Sequence, residues 1–248
     1  MSVSRLMQMG ASGAGSLVIP VVIDDADIDI GTRIGAGQTA YSGSLNITAN
    51  SACVFIVRRS RARSSSGDNS SATLTVGGTS ATKIASYDVT ASDSSLVNHH
   101  EVYYLENVST GSTVSAVTGS GNAAVAISIS AFMLDSAVQP TVTNGKQNYS
   151  FNTSTSPSPK TVSVSVPRNA FIWYAHASAN YLTTASITLS VSQSLAPIGV
   201  ASSGNTLTNV DVQASNIQTE TTTVTATLPH SNNTYSQGYD TDYLILQF

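Results

Sequence analysis

Apolar and small polar residues alternate with a period of two along most of the chain. The alternation is clear in Ser44-Leu45-Asn46-Ile47-Thr48, Thr73-Leu74-Thr75-Val76 and Thr161-Val162-Ser163-Val164-Ser165-Val166. It recurs in Val125-Ala126-Ile127-Ser128-Ile129-Ser130 and Thr223-Val224-Thr225-Ala226-Thr227-Leu228. Successive side chains of a strand point to opposite faces, so such runs bury Val, Ile and Leu and leave Ser and Thr in water. Gly77-Gly78, Gly119-Ser120-Gly121-Asn122 and Asn144-Gly145 read as turns between them. No long stretch carries the 3.6-residue period of an amphipathic helix. The pattern predicts an all-β chain.

The strand runs form two similar series. Ile47 to Val57 can be laid over Val164 to Tyr174, each an alternating strand, a short polar turn and a nearly continuous apolar strand. Thr73-Leu74-Thr75-Val76 then matches Thr188-Leu189-Ser190-Val191, and each series closes on an apolar strand, Ala124 to Leu134 and Tyr243 to Phe248. Apolar runs without alternation belong to strands covered on both faces. The repetition predicts two tandem antiparallel β-sandwich domains of jelly-roll or Ig-like type, each of about 100–120 residues. They span residues 17–137 and 138–248, with the seam near Ser136 to Thr143 and a Ser/Pro-rich turn at Asn152 to Lys160. Residues 1–16 form an extended Gly/Ala/Ser arm whose large side chains are Leu6, Met7 and Met9. Alone it has too little apolar surface to order, so a neighbouring subunit is its simplest docking site.

Composition narrows the functional classes. Of 248 residues, 41 are Ser and 29 Thr, against 3 Glu and 3 Lys. Charged residues make up 10%, where about a quarter is usual, which argues against an ordinary helical fold solubilised by Glu and Lys. One cysteine excludes a disulfide scaffold. A net charge of −4 argues against a general nucleic-acid binder. No run reaches the roughly 20 apolar residues of a membrane helix. Leu17 to Ile23 contains Pro20 and meets Asp24 and Asp25, which is not the order of a secretory signal. A hydroxyl-rich surface without an export signal fits a protein made in a host cytoplasm and released by lysis, as virion components are.

The first series resembles a β-sandwich repeat of virion proteins of tailed bacteriophages and of some secreted bacterial proteins. The residues that carry the likeness are Cys53-Val54-Phe55-Ile56-Val57, Ala72 to Gly78, Val102-Tyr103-Tyr104-Leu105-Glu106-Asn107, Ser109 to Val114 and the small-residue run Asn122 to Phe132. It covers residues 44–135 and, more loosely, 161–248, where the Gly-Gly turn and the Tyr-Tyr-Leu element are missing. Residues 7–15 also look like the short arms that begin phage accessory and fibre proteins. The resemblance implies a virion architecture and brings no catalytic residue or cofactor with it.

Several constellations invite chemistry. Arg58, Arg59, Arg61 and Arg63 hold four of the ten basic residues and could dock on an acidic capsid or tail surface through bidentate carboxylate pairs. The competing role is a solvated strand end that blocks edge pairing. Asp25-x-Asp27-x-Asp29 looks like the start of a calcium loop, but Gly31 comes one place late and Ala36 stands where a bidentate Glu is needed. An edge strand with a wet face explains it better. His99 and Glu101 would share a strand face, yet two ligands make no metal site. No Gly-x-Ser-x-Gly elbow supports a serine hydrolase, and with three glutamates no carboxylate pair stands out for glycoside hydrolysis. Cys53 sits in an apolar strand as a small core residue. Phe171-Ile172-Trp173-Tyr174 reads as a core strand before a sugar platform, whereas Tyr235 and Tyr239 are candidates for glycan contact.

The expectation is a non-enzymatic virion structural protein on the particle exterior, a capsid decoration or accessory protein without cofactor or metal. Its partners would be major capsid or tail proteins and further copies of itself, a trimer included, with no nucleic acid or membrane. The alternative is a tail receptor-binding protein that holds a host surface glycan. Leu6, Met7, Met9 and the four arginines are the expected docking residues.

Overall fold

The computed structural model describes residues 23–27, 32–34, 40–44, 51–62, 72–90, 96–117, 126–150, 160–178, 188–190, 209–228 and 238–248. They contain seventeen strands and no helix. In chain order these are β1 (Ile23–Asp27), β2 (Thr32–Ile34), β3 (Ala40–Ser44), β4 (Ser51–Ala62), β5 (Thr73–Val76), β6 (Thr79–Ser80), β7 (Thr82–Thr90), β8 (Leu96–Val108) and β9 (Thr113–Val117). There follow β10 (Ala126–Leu134), β11 (Thr141–Ser150), β12 (Lys160–Val166), β13 (Ala170–Ser178), β14 (Thr188–Leu189), β15 (Asn209–Ala214), β16 (Thr222–Leu228) and β17 (Gly238–Gln247).

All pairings are antiparallel, and four sheets result. Two belong to β1–β10, in the orders β1-β10-β4-β8-β7, with β2 also on β10, and β3-β9-β5-β6. Two belong to β11–β17, in the orders β11-β17-β13-β15 and β12-β16-β14. The second half thus repeats the pairing of the first, β11, β12, β13, β14, β15, β16 and β17 taking the places of β1, β3, β4, β5, β8, β9 and β10. The chain crosses from one pair of sheets to the other through residues 135–140, between β10 and β11.

Three apolar clusters stack the sheets into four layers. Cys53, Phe55 and Val57 of β4 meet Leu74 and Val76 of β5 and Val114 and Ala116 of β9. Val54 and Ile56, one residue out of phase on the same strand, meet Phe171, Trp173, Leu244 and Leu246 of the second half. On β13, Ala170, Ile172 and Tyr174 turn the other way, to Val162, Leu189, Val224 and Ala226. Every residue of Cys53–Val57 and Phe171–Ala175 is therefore buried, whichever way it points. The absence of alternation in these runs reflects cover on both faces. The two outer sheets show the opposite pattern: β5 and β9 alternate buried apolar with wetter Thr and Ser. Across β12 and β16, Ser163 and Thr225 share a hydroxyl hydrogen bond of 2.8 Å on the wet face.

Gly77 and Gly78 form the expected tight turn, with φ of +56° and +85°, the values at which a two-residue hairpin loop matches strand twist. Asn144-Gly145 does not turn. Both lie within β11, Asn144 opposite Leu244 and Gly145 opposite Tyr243. Gly145 is there for space: a Cβ on it would lie 2.1 Å from Cζ of Tyr243, whose ring covers the glycine. The expected turn at 119–122, residues 45–48 and the loop at 152–159 lie outside the described residues.

Candidate functional site

Among the described residues, the contact between the inner sheets is largely apolar and carries its charged side chains at one place. Arg58 continues the phase of Val54 and Ile56, and Asp242 that of Leu244 and Leu246, so the alternation that builds the cluster also carries both charges into it. Each is 1% exposed, and Arg58 Nη2 lies 3.9 Å from Asp242 Oδ2. His100, opposite Arg58 in the β4–β8 register, brings Nε2 to 3.1 Å from the same oxygen. Its ring meets the indole of Trp173 edge-on at 5.4 Å between centroids. Trp173 Nε1 donates to Ser130 Oγ on β10 at 3.2 Å, and Tyr87 Oη donates to the Val142 carbonyl at 2.8 Å, both across the same layer. Burial holds the His100 pKa below its ordinary value; the Asp242 carboxylate pulls it upward, and Arg58 pushes it down. Among the described side chains, the joint thus brings together the Asp242 carboxylate, the Arg58 guanidinium and an imidazole that favours its neutral form.

A second polar group occupies the opposite face of β7 and β8. Glu101, fully buried, takes Lys83 Nζ on Oε1 at 2.6 Å and the Ala72 backbone N–H on Oε2 at 2.8 Å. Tyr103 Oη donates to the Ala72 carbonyl and lies 3.1 Å from Glu101 Oε2. Glu101 therefore fixes the start of β5 against β8. His99 bridges outward, its Nδ1 on Asp88 and its Nε2 3.3 Å from Glu101 Oε1. Ser86 Oγ lies 3.4 Å from that same Nε2. The three residue types Ser86, His99 and Asp88 are those of a hydrolytic triad. The Nε2 that a serine nucleophile would use as its base is shared here with the Glu101 carboxylate. The arrangement is a chain of polar contacts, Asp88–His99–Glu101–Lys83, in which Glu101 and Lys83 form an ion pair. His99 and Glu101 do share a face, as the period of two demands, and among the described residues no group of three ligand side chains could hold a metal.

The arginine cluster divides. Arg58 is inside and faces an aspartate of its own chain, leaving no exterior surface to dock with. Arg59 lies on β4 opposite His99 and Ile127, and Arg61 opposite Val97. Tyr239 lies on β17 opposite Tyr149 and Ser178. Leu6, Met7, Met9, Arg63 and Tyr235 lie outside the described residues. The aspartate run enters β1, an edge strand on β10, with Asp25 opposite Met133 and Asp27 opposite Ala131. Trp173 and Tyr174 are fully buried and form no sugar platform. Cys53 is buried, and desolvation pushes its thiol up to about 12. The joint formed by His100 and Asp242 had one signal in the sequence, charges occurring in the phase of an apolar strand.

The chain matches no known family, no curated protein and no solved structure.

Proposed function

We propose that this chain is a non-enzymatic structural protein of a tailed-phage virion, a capsid decoration or accessory protein docked through residues 1–16. In this reading each half is a jelly-roll-like sandwich, residues 17–137 and 138–248. The support for that finer assignment is the pairing order, in which the first strand of each half lies beside the last, β1 on β10 and β11 on β17, while β3 and β12 lie beside the next to last, β9 and β16. The observation that carries the structural role is the buried joint. Arg58, His100 and Asp242 hold sheet to sheet and present nothing to a substrate, while the outer sheets turn Ser and Thr outward. Such a block suits a particle exterior, where it is repeated in many copies against capsid or tail proteins.

Gold-labelled antibody on intact particles from the source of the gene tests the proposal. Dense label over the head is the expected result, and a chain lacking residues 1–16 should fold and fail to join the particle. Label confined to the tail tip would favour a receptor-binding protein and move attention to Tyr235 and Tyr239. Label on no particle overturns both virion readings.

A further inference from the structure

The polar joint is built from both halves of the chain, and His100 is its one group that can gain a charge near neutrality. From β17 it faces Asp242, from β4 Arg58, from β13 Trp173, and Tyr87 stands opposite it on β7. Lys146 stands opposite Asp242 in the β11–β17 register, and Asp240 is two residues along the same strand. His99, the neighbour of His100, turns to the other face of β8 and pairs with Asp88 and Glu101.

With a neutral imidazole, the Asp242 carboxylate stands between the Arg58 guanidinium and an uncharged ring. A proton on His100 sets a second cation beside Arg58 between apolar walls, where an added charge is disfavoured. His100 on β8 meets Trp173 of β13 and Asp242 of β17, both across the contact between the inner sheets. The strain therefore falls on the contact between the inner sheets.

We infer that this contact is a pH-operated latch, closed while His100 is neutral and released when it takes up a proton, with the strands of both halves retained. The opened state exposes the imidazole to water and restores its ordinary value of 6.5. Stability of the closed form is fully present above that value and falls as pH drops through the window down to the depressed value of the closed form. Each pH unit within the window lowers the closed-to-open ratio up to tenfold. This inference is independent of the virion reading.

The protein carries its own reporter, because Trp173 is the single tryptophan of the chain and touches His100. Acidifying the full-length protein should shift Trp173 emission to the red below pH 6.5, while the far-ultraviolet signal of the strands persists. His100→Gln, which keeps a hydrogen-bonding side chain and cannot charge, should remove the shift from that window. The NMR titration of the His100 ring in the unmutated protein, identified by its proximity to the indole, should give a value below the ordinary one. Three results would each overturn the latch: a red shift at unchanged pH in His100→Gln, loss of the strand signal together with Trp173 exposure, or a His100 ring that titrates at or above its ordinary value without any change in Trp173.

Discussion

Asp242→Ala removes the carboxylate on which both Arg58 and His100 converge. The guanidinium lies 3.9 Å away, and at an effective dielectric near 20 that separation corresponds to about 4 kcal/mol of attraction. The His100 bond at 3.1 Å adds about 1.5–3 kcal/mol, the range for a hydrogen bond to a charged partner. Against these stands the desolvation of the carboxylate itself, several kcal/mol, which the alanine no longer incurs. The expected net loss is about 3–5 kcal/mol of unfolding free energy, the cost typical of breaking a buried pair from one side. Urea titration followed by circular dichroism measures it. The same substitution in an Arg58→Met background should cost much less, because the guanidinium it would strand is gone. The resulting coupling should exceed about 1 kcal/mol. A loss below about 1 kcal/mol for Asp242→Ala, or two costs that simply add, would refute the assignment of the joint as an energetic link.

Gly145→Ala should drive the Tyr243 ring off β11 and away from Tyr174, whose centroid lies 5.9 Å from it; a loss of about 1–3 kcal/mol is expected, read as a fall in Tm. Gly78→Val should lose about 1–2 kcal/mol by forcing a β-branched residue to φ near +85°, whereas Gly78→Asn should be tolerated, and thermal melts of the pair distinguish turn strain from loss of contact. Glu101→Gln should weaken the holds on Lys83 and on the start of β5 by about 1–3 kcal/mol, visible as faster hydrogen exchange at the Ala72 amide. Cys53 should resist thiol reagents in the native protein, its thiol being buried and raised to about 12, and react once denaturant opens the fold; rapid native labelling would contradict that placement.

The all-β class was legible because a period of two is a direct consequence of strand geometry, and the runs Thr73–Val76 and Thr161–Val166 read unambiguously. Legible too was the cover on both faces of Cys53–Val57 and Phe171–Tyr174, since a strand with one wet face cannot be apolar at every position. The overlay of the two series also places residues correctly by direction. Val54 and Phe171 turn to the shared cluster, and Phe55 and Ile172 to the separate ones. What the alternation could not reveal was that the shared face of each half meets the other. A strand pattern states how many faces are dry and not what dries them. For that reason Arg58 read as a docking residue and Asp242 drew no notice, although each follows the phase of its apolar neighbours. Asn144-Gly145 misled for a related reason: the glycine answers to a tyrosine nearly a hundred residues later in the chain, and no local rule reports such a partner.

The shared cluster has a consequence for synthesis on the ribosome. β10 completes the pairing of the first half at Leu134, yet Val54, Ile56, Val102, Tyr104 and Phe132 then present an uncovered apolar face. Leu246, among the residues that cover it, is made about 110 residues later. At about 5–20 residues per second the nascent chain carries that face for roughly 5–20 seconds. During this interval it is a natural client for a chaperone, and chains crowded on one messenger can pair through it with each other. A fragment ending at residue 137 would hold the same face open permanently. Such a fragment is expected to associate or precipitate, while the full-length chain, synthesised slowly at reduced temperature, stays dispersed.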